Sequence, residues 1–113
     1  MAKTLFNFDF ESPLTIEQIR DLMRVTGMLI SDVHNPYKDT PGKGWFAGNA
    51  SLNLEREQGR EGAWFITAFT HDITQVNQTE VDDMRRRLRD FLPRIATSWI
   101  EKSDYPVLEE ARR

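Results

Sequence analysis

Few residues in this chain carry chemistry, and their spacing narrows what that chemistry is. Arg85, Arg86, Arg87 and Arg89 crowd one short stretch. His34 and His71 stand far apart. Tyr37, Lys38, Lys43 and Trp45 share a segment broken by Pro36, Pro41, Gly42 and Gly44. An arginine offers a planar fork that grips a carboxylate or phosphate through two parallel hydrogen bonds. Most of this run has partners of its own at helical spacing. Asp82 with Arg86, Asp83 with Arg87 and Asp90 with Arg94 are acid-first pairs at i,i+4, each worth about 0.2–0.5 kcal/mol. Arg85 and Arg89 differ. They flank an apolar stripe four residues apart, and no acid lies three or four positions from Arg89 on either side. They are the candidate grip on a partner, with snorkelling over the core edge as the structural alternative.

The histidines do less. A metal site would need His34 and His71 with Asp72 or Asp32, but no H-x-x-x-H or related spacing exists, so no metal is expected. His71 beside Asp72 is a residue type that can serve as a general base. Ser12, Ser31, Ser51, Ser98 and Ser103 lie in no nucleophile elbow. The absence of cysteine removes disulfides, thiolate metal sites and cysteine nucleophiles. Thr40-Pro41-Gly42-Lys43-Gly44 lacks the spacing of a phosphate loop, and no helix follows it. Neither catalysis nor a cofactor is expected. The 34–45 segment reads as a long loop in which Tyr37, Lys38, Lys43 and Trp45 contact a ligand, or as a connection whose Trp45 folds onto the core.

These residues need a scaffold. A chain of 113 residues supports one domain with a core that needs no staples. Residues 1–104 are read as that domain and 105–113 as a charged tail that frays. The net charge of −3 supplies no global basic footprint for nucleic acid. Without a leader or a membrane-spanning run the expected location is the cytosol.

Alternation over residues 5–10 predicts a strand with Phe6, Phe8 and Phe10 on one face. Thr15 with Gln18 forms a capping box for a helix that buries Ile16, Ile19, Leu22 and Met23 and stops at Gly27. Strands are expected at 28–33, at 46–55 with Phe46, Gly48, Ala50, Leu52 and Leu54 inward, and at 63–70 in the sheet centre. Residues 79–102 read as one long amphipathic helix. It is capped by Thr79, buries Val81, Met84, Leu88, Phe91, Leu92, Ile95, Ala96 and Trp99, and kinks at Pro93. The predicted class is α+β in β-α-β-β-β-α order, an antiparallel meander with two helices packed on one face. The first strand is left to an edge or to a dimer interface.

From residue 15 to 102 this element order resembles the double-stranded-RNA-binding domain. That family starts its last helix with basic residues, whereas Thr79-Glu80-Val81-Asp82-Asp83 repels phosphate, so no RNA-contacting residue carries over. The function expected is a protein–protein interaction module of adaptor, immunity or inhibitor type, with Arg85, Arg89, Tyr37, Lys38, Lys43 and Trp45 as its contacts. A homodimer is compatible with it. The alternatives are a nucleic-acid binder using Arg85, Arg86, Arg89, Lys38 and Lys43, and a small enzyme or ligand sensor using His71 and the 34–45 loop.

Overall fold

Phe6, Phe8 and Phe10 alternate along β1 (Lys3–Glu11) and all three are buried, which makes this strand the spine of the core. The computed structural model describes residues 3–28, 45–46 and 50–102. After β1 come α1 (Ile16–Val25), β2 (Trp45–Phe46), β3 (Ala50–Arg56), β4 (Ala63–Thr70), a 3-10 turn at Ile73–Gln75, α2 (Gln78–Ile95) and β5 (Ser98–Lys102). The class is α+β and the order β-α-β-β-β-α is as expected, with one further strand after the last helix. No helix among the described residues is long and apolar enough to cross a membrane.

All strand pairings are antiparallel, in the order β2-β3-β4-β1-β5. Phe8 lies opposite Ile66, which lies opposite Leu54; Phe10 faces Trp64, and Leu52 faces Ala68. These residues share one sheet face. Their core includes Ile19 and Met23 of α1 and Val81, Met84, Leu88, Phe91, Leu92 and Ile95 of α2, so both helices cover that face. The other face carries a polar ladder. Thr67 donates to Asn7 (2.6 Å), Asn7 donates to Asp9 (2.6 Å) and Asn53 donates to Glu55 (3.0 Å).

Local signals in α1 hold. Gln18 N–H donates to Thr15 Oγ1 (3.2 Å) and Thr15 N–H to Gln18 Oε1 (3.0 Å). Gly27, at φ 83°, closes the helix as Met28 N–H donates back to Met23 O (2.8 Å). The buried stripe is narrower than expected: Ile19 and Met23 are buried, Leu22 is exposed, and Arg20 is buried in its place.

Four expectations are corrected. The first strand is not at an edge; β1 lies between β4 and β5. The strand at 46–55 is two strands, since Trp45 pairs with Ser51 and Phe46 with Ala50, so the chain reverses between them. A period of two in the sequence does not reveal where the chain reverses. The cap of α2 is Asn77, which accepts from Glu80 N–H (3.2 Å), not Thr79. The helix at 79–102 neither kinks and continues nor resumes as a second helix. It ends at Ile95, and Trp99 belongs to a strand. Pro93 sits in the last turn, where it removes the N–H that would reach Arg89 O while the helix still closes with Ala96 N–H on Leu92 O (2.8 Å). Ala96 is already extended, at φ −106°, ψ 144°. Of the strand expected at 28–33, Met28 is described and lies in no strand; residues 29–33, the 34–44 part of the loop and the 105–113 tail lie outside the described residues.

Ser12 joins three elements at this corner. Its hydroxyl donates to Ile95 O at the end of α2 (2.7 Å) and accepts from Leu14 N–H (3.2 Å), ahead of α1. Its backbone N–H donates to Gly62 O (2.9 Å) and its carbonyl accepts from Trp64 Nε1 (3.4 Å), at the start of β4. Ser12→Ala therefore strands a buried helix-end carbonyl, and is expected to cost about 1–3 kcal/mol. Urea unfolding should show a lower midpoint at unchanged slope.

Candidate functional site

The site grows from β5. Two residues after α2 ends, Thr97 N–H donates to Glu11 O (2.8 Å) and the chain pairs with β1, Phe10 opposite Trp99 and Phe8 opposite Glu101. Alternation then turns Trp99 and Glu101 toward the helix-covered face and Ser98, Ile100 and Lys102 toward the other. Trp99 packs on Phe8 with ring centroids 6.0 Å apart. Glu101 is carried beneath α2, where Arg85 and Arg89 project one turn apart.

Both arginines close on that carboxylate. Arg85 donates to Glu101 Oε2 from Nε (3.0 Å) and Nη2 (2.6 Å), and Arg89 Nε donates to Oε1 (2.6 Å). The Glu101 side chain is only 13% exposed. Arg85 also lies over the Phe6 ring, 6.0 Å from its centroid. Burial pushes the Glu101 pKa up, but the hydrogen bonds from Arg89 and Arg85 and their charges outweigh it, so the carboxyl lies below its ordinary value. The hydrogen bond to Glu101 raises the Arg89 pKa against the opposing effect of burial. A carboxylate locked in its ionised form is an anchor, not a proton donor. On the opposite face Lys102 Nζ reaches Asp9 Oδ2 (3.0 Å), so ion pairs hold the strand from both sides.

Beyond this clamp, β5 is the last strand of the sheet among the described residues. Ile100 is 61% exposed and Trp99 38% exposed. Sequence spacing within α2 could not find Glu101, because the partner of Arg85 and Arg89 comes from another element. A signal for β5 was present: Ser98-Trp99-Ile100 is rich in strand-forming residues and follows a proline by five positions.

The other predicted contacts do not converge here. Trp45 lies in β2, the opposite edge of the sheet, so the loop and the arginine edge are separate surfaces. Tyr37, Lys38, Lys43 and His34 lie outside the described residues. Asp83 pairs with both Arg86 and Arg87 (2.9 Å to the latter), while Asp82–Arg86 and Asp90–Arg94 do not form; Asp82 accepts from Gln78 (2.8 Å) instead. His71 stands edge-on to Phe69, and Asp72 Oδ1 accepts from Thr74 N–H (3.1 Å) and its hydroxyl (2.5 Å), so the two form no dyad. No group of three metal-ligating side chains gathers among the described residues. No protein-family model, curated protein or solved structure matches the chain.

Glu101→Gln removes the negative charge and leaves two arginines facing each other. It is expected to cost about 1–3 kcal/mol at neutral pH. Because the folded-state pKa is depressed, the stabilisation is complete above the ordinary glutamate value of 4.5 and fades as pH falls through the lower folded value. Denaturation of wild type and variant across pH should show a constant gap at neutral pH that closes in acid.

Proposed function

We propose that this chain is a small protein–protein interaction module without catalysis that binds a partner protein by strand addition along the outer edge of β5. The observation that carries this is the edge itself: five residues of paired, clamped strand presenting exposed Ile100 and Trp99 at the end of the sheet. Edge strands are templates for another strand, and proteins ordinarily blunt them. The opposite edge strand, β2, is two residues long. β5 is the longer of these two strands among the described residues and shows exposed Ile100 and Trp99, which suits it to receive an extended segment.

The arginine clamp supports the same proposal. It fixes β5 before a partner arrives, so little ordering entropy is lost on binding. Arg89 engages Glu101 through Nε alone and is half exposed, leaving its terminal nitrogens at the rim for a partner carboxylate. Arg85 and Arg89 thus become the support and rim of the surface, not its centre. The partner segment would place an apolar residue against Ile100 and an acid near Arg89. A cysteine-free chain suits a reducing compartment, and we assign the module to the cytosol.

Ile100→Lys tests this without touching the clamp, with Val25→Lys, at an exposed site on α1, as the control. Affinity capture with quantitative mass spectrometry should identify a partner whose recovery falls at least about tenfold with Ile100→Lys alone, while both variants melt like wild type. Recovery unaffected by Ile100→Lys would overturn the assignment. A dimer mass in light scattering that is lost in Ile100→Lys would mean that the edge pairs with a second copy, not with another protein.

A further inference from the structure

Arg20 is the only charged residue among the buried described residues, with 9% of its surface exposed. It has no visible reason to be charged there. Its Nε is buried and has no hydrogen-bond partner. Neighbouring acids on α1 do not answer it: Asp21 pairs with Arg24, and Glu17, one turn earlier, does not reach ion-pair distance. Burying a charged N–H without a hydrogen-bond partner is costly, and apolar substitution would avoid that cost, so an orphan of this kind calls for a partner.

The surroundings say what the partner would be. Arg20 lines an open cavity of about 310 Å³ with Ile16, Glu17, Arg56 and Trp64. Arg56 comes from the end of β3 and lies over the Trp64 ring, its guanidinium carbon 5.4 Å from the ring centroid. Two guanidinium groups thus line one cavity, with an indole and the half-buried Ile16 as its apolar wall. A second cavity of about 440 Å³ shares Ile16, Glu17, Arg56 and Trp64 and extends toward Thr15 and Glu61, which leaves room for more than a bare ion. Glu17 and Glu61 are both exposed and sit at the outer side, where water screens them.

We propose that Arg20 and Arg56 form a binding site for a small organic anion, a carboxylate or phosphate monoester whose oxygens bridge the two guanidinium groups and whose apolar part lies against Ile16 and Trp64. Guanidinium forks match the geometry of both oxyanions, and the partial enclosure strengthens each charge-assisted hydrogen bond. The site sits between α1 and the β3–β4 end of the sheet, apart from the β5 edge, and stands whether or not that edge binds a protein.

The test is a titration of the full chain followed by proton–nitrogen NMR of the arginine Nε–H groups. The probes are phenyl phosphate, benzoate and inorganic phosphate, with benzyl alcohol as the uncharged control. Arg20 Nε–H should shift saturably with phenyl phosphate or benzoate, at about millimolar affinity or better. Whichever of the two binds more tightly identifies the oxyanion. Inorganic phosphate should bind more weakly for want of the apolar part, and benzyl alcohol should not bind. Arg20→Met should abolish the saturable shift read at Arg56 Nε–H while melting at or above the wild-type temperature. Arg56→Gln, at an exposed position, should weaken binding about tenfold, and Glu17→Gln should tighten it. No saturable shift with any anion, or undiminished binding in Arg56→Gln, would overturn the site. So would an Arg20→Met protein that is folded but melts well below wild type, since Arg20 would then be a structural strut.

Discussion

An interior strand has two rows of backbone groups to satisfy, and β1 is interior. Its partner on one side is β4; the other side depends on a strand that follows the last helix. That requirement shapes the end of the chain. α2 must stop early enough for Ser98–Lys102 to run antiparallel to β1, and it stops at Ile95, with Ser12 holding its last carbonyl. Once the strand is laid down, pairing with Phe8 fixes which face Glu101 takes, and α2 already lies over that face. The clamp of Arg85 and Arg89 on Glu101 follows from the register. A shift of β5 by one residue would turn the carboxylate away and bring Ile100 or Lys102 beneath the arginines.

What could be read from the sequence follows the range of the interactions involved. Thr15 with Gln18, Gly27, the alternation in β1 and β4 and the stripe from Val81 to Ile95 are set by neighbours within one or two turns, and all stand as expected. The failures are of two kinds. Trp99 lies four residues after Ile95, which continues a helical phase, yet it also begins an alternation of Trp99 and Glu101 against Ile100 and Lys102. Periodicity alone does not choose between those; the unmet edge of β1 does. The partner of Arg85 and Arg89 is of the second kind, because a carboxylate twelve to sixteen residues away comes within reach only through the sheet. The same holds for Arg20, whose helical spacing places it beside the buried stripe without saying what it meets.

Arginine takes three distinct roles within this small domain. Arg86 and Arg87 share Asp83 at the surface, where pairing contributes little and keeps the helix face solvated. Arg85 and Arg89 hold a nearly buried carboxylate, which is worth more because that shielded group takes three charge-assisted hydrogen bonds. Arg20 is as buried as a core residue and forms no ion pair with a carboxylate among the described residues. The gradient separates charge that solubilises from charge that positions, and both from charge without a counterpart among the described residues.

The two candidate surfaces also make opposite demands on the fold. Strand addition at β5 needs a rigid edge, and the ion pairs on both of its faces supply one: Glu101 to the helix above, Lys102 to Asp9 across the sheet. Backbone pairing is indifferent to sequence, so selectivity on such an edge must come from side chains. Ile100 and the free side of Arg89 are placed to provide it, while the shortness of β5 and the lysine at its end discourage indiscriminate pairing. The cavity beside Arg20 works the other way. There any affinity would rest on Arg20 and Arg56, which line the same cavity. An anion bound there would give the buried Arg20 Nε–H a partner and so stabilise the packing of α1 on the sheet.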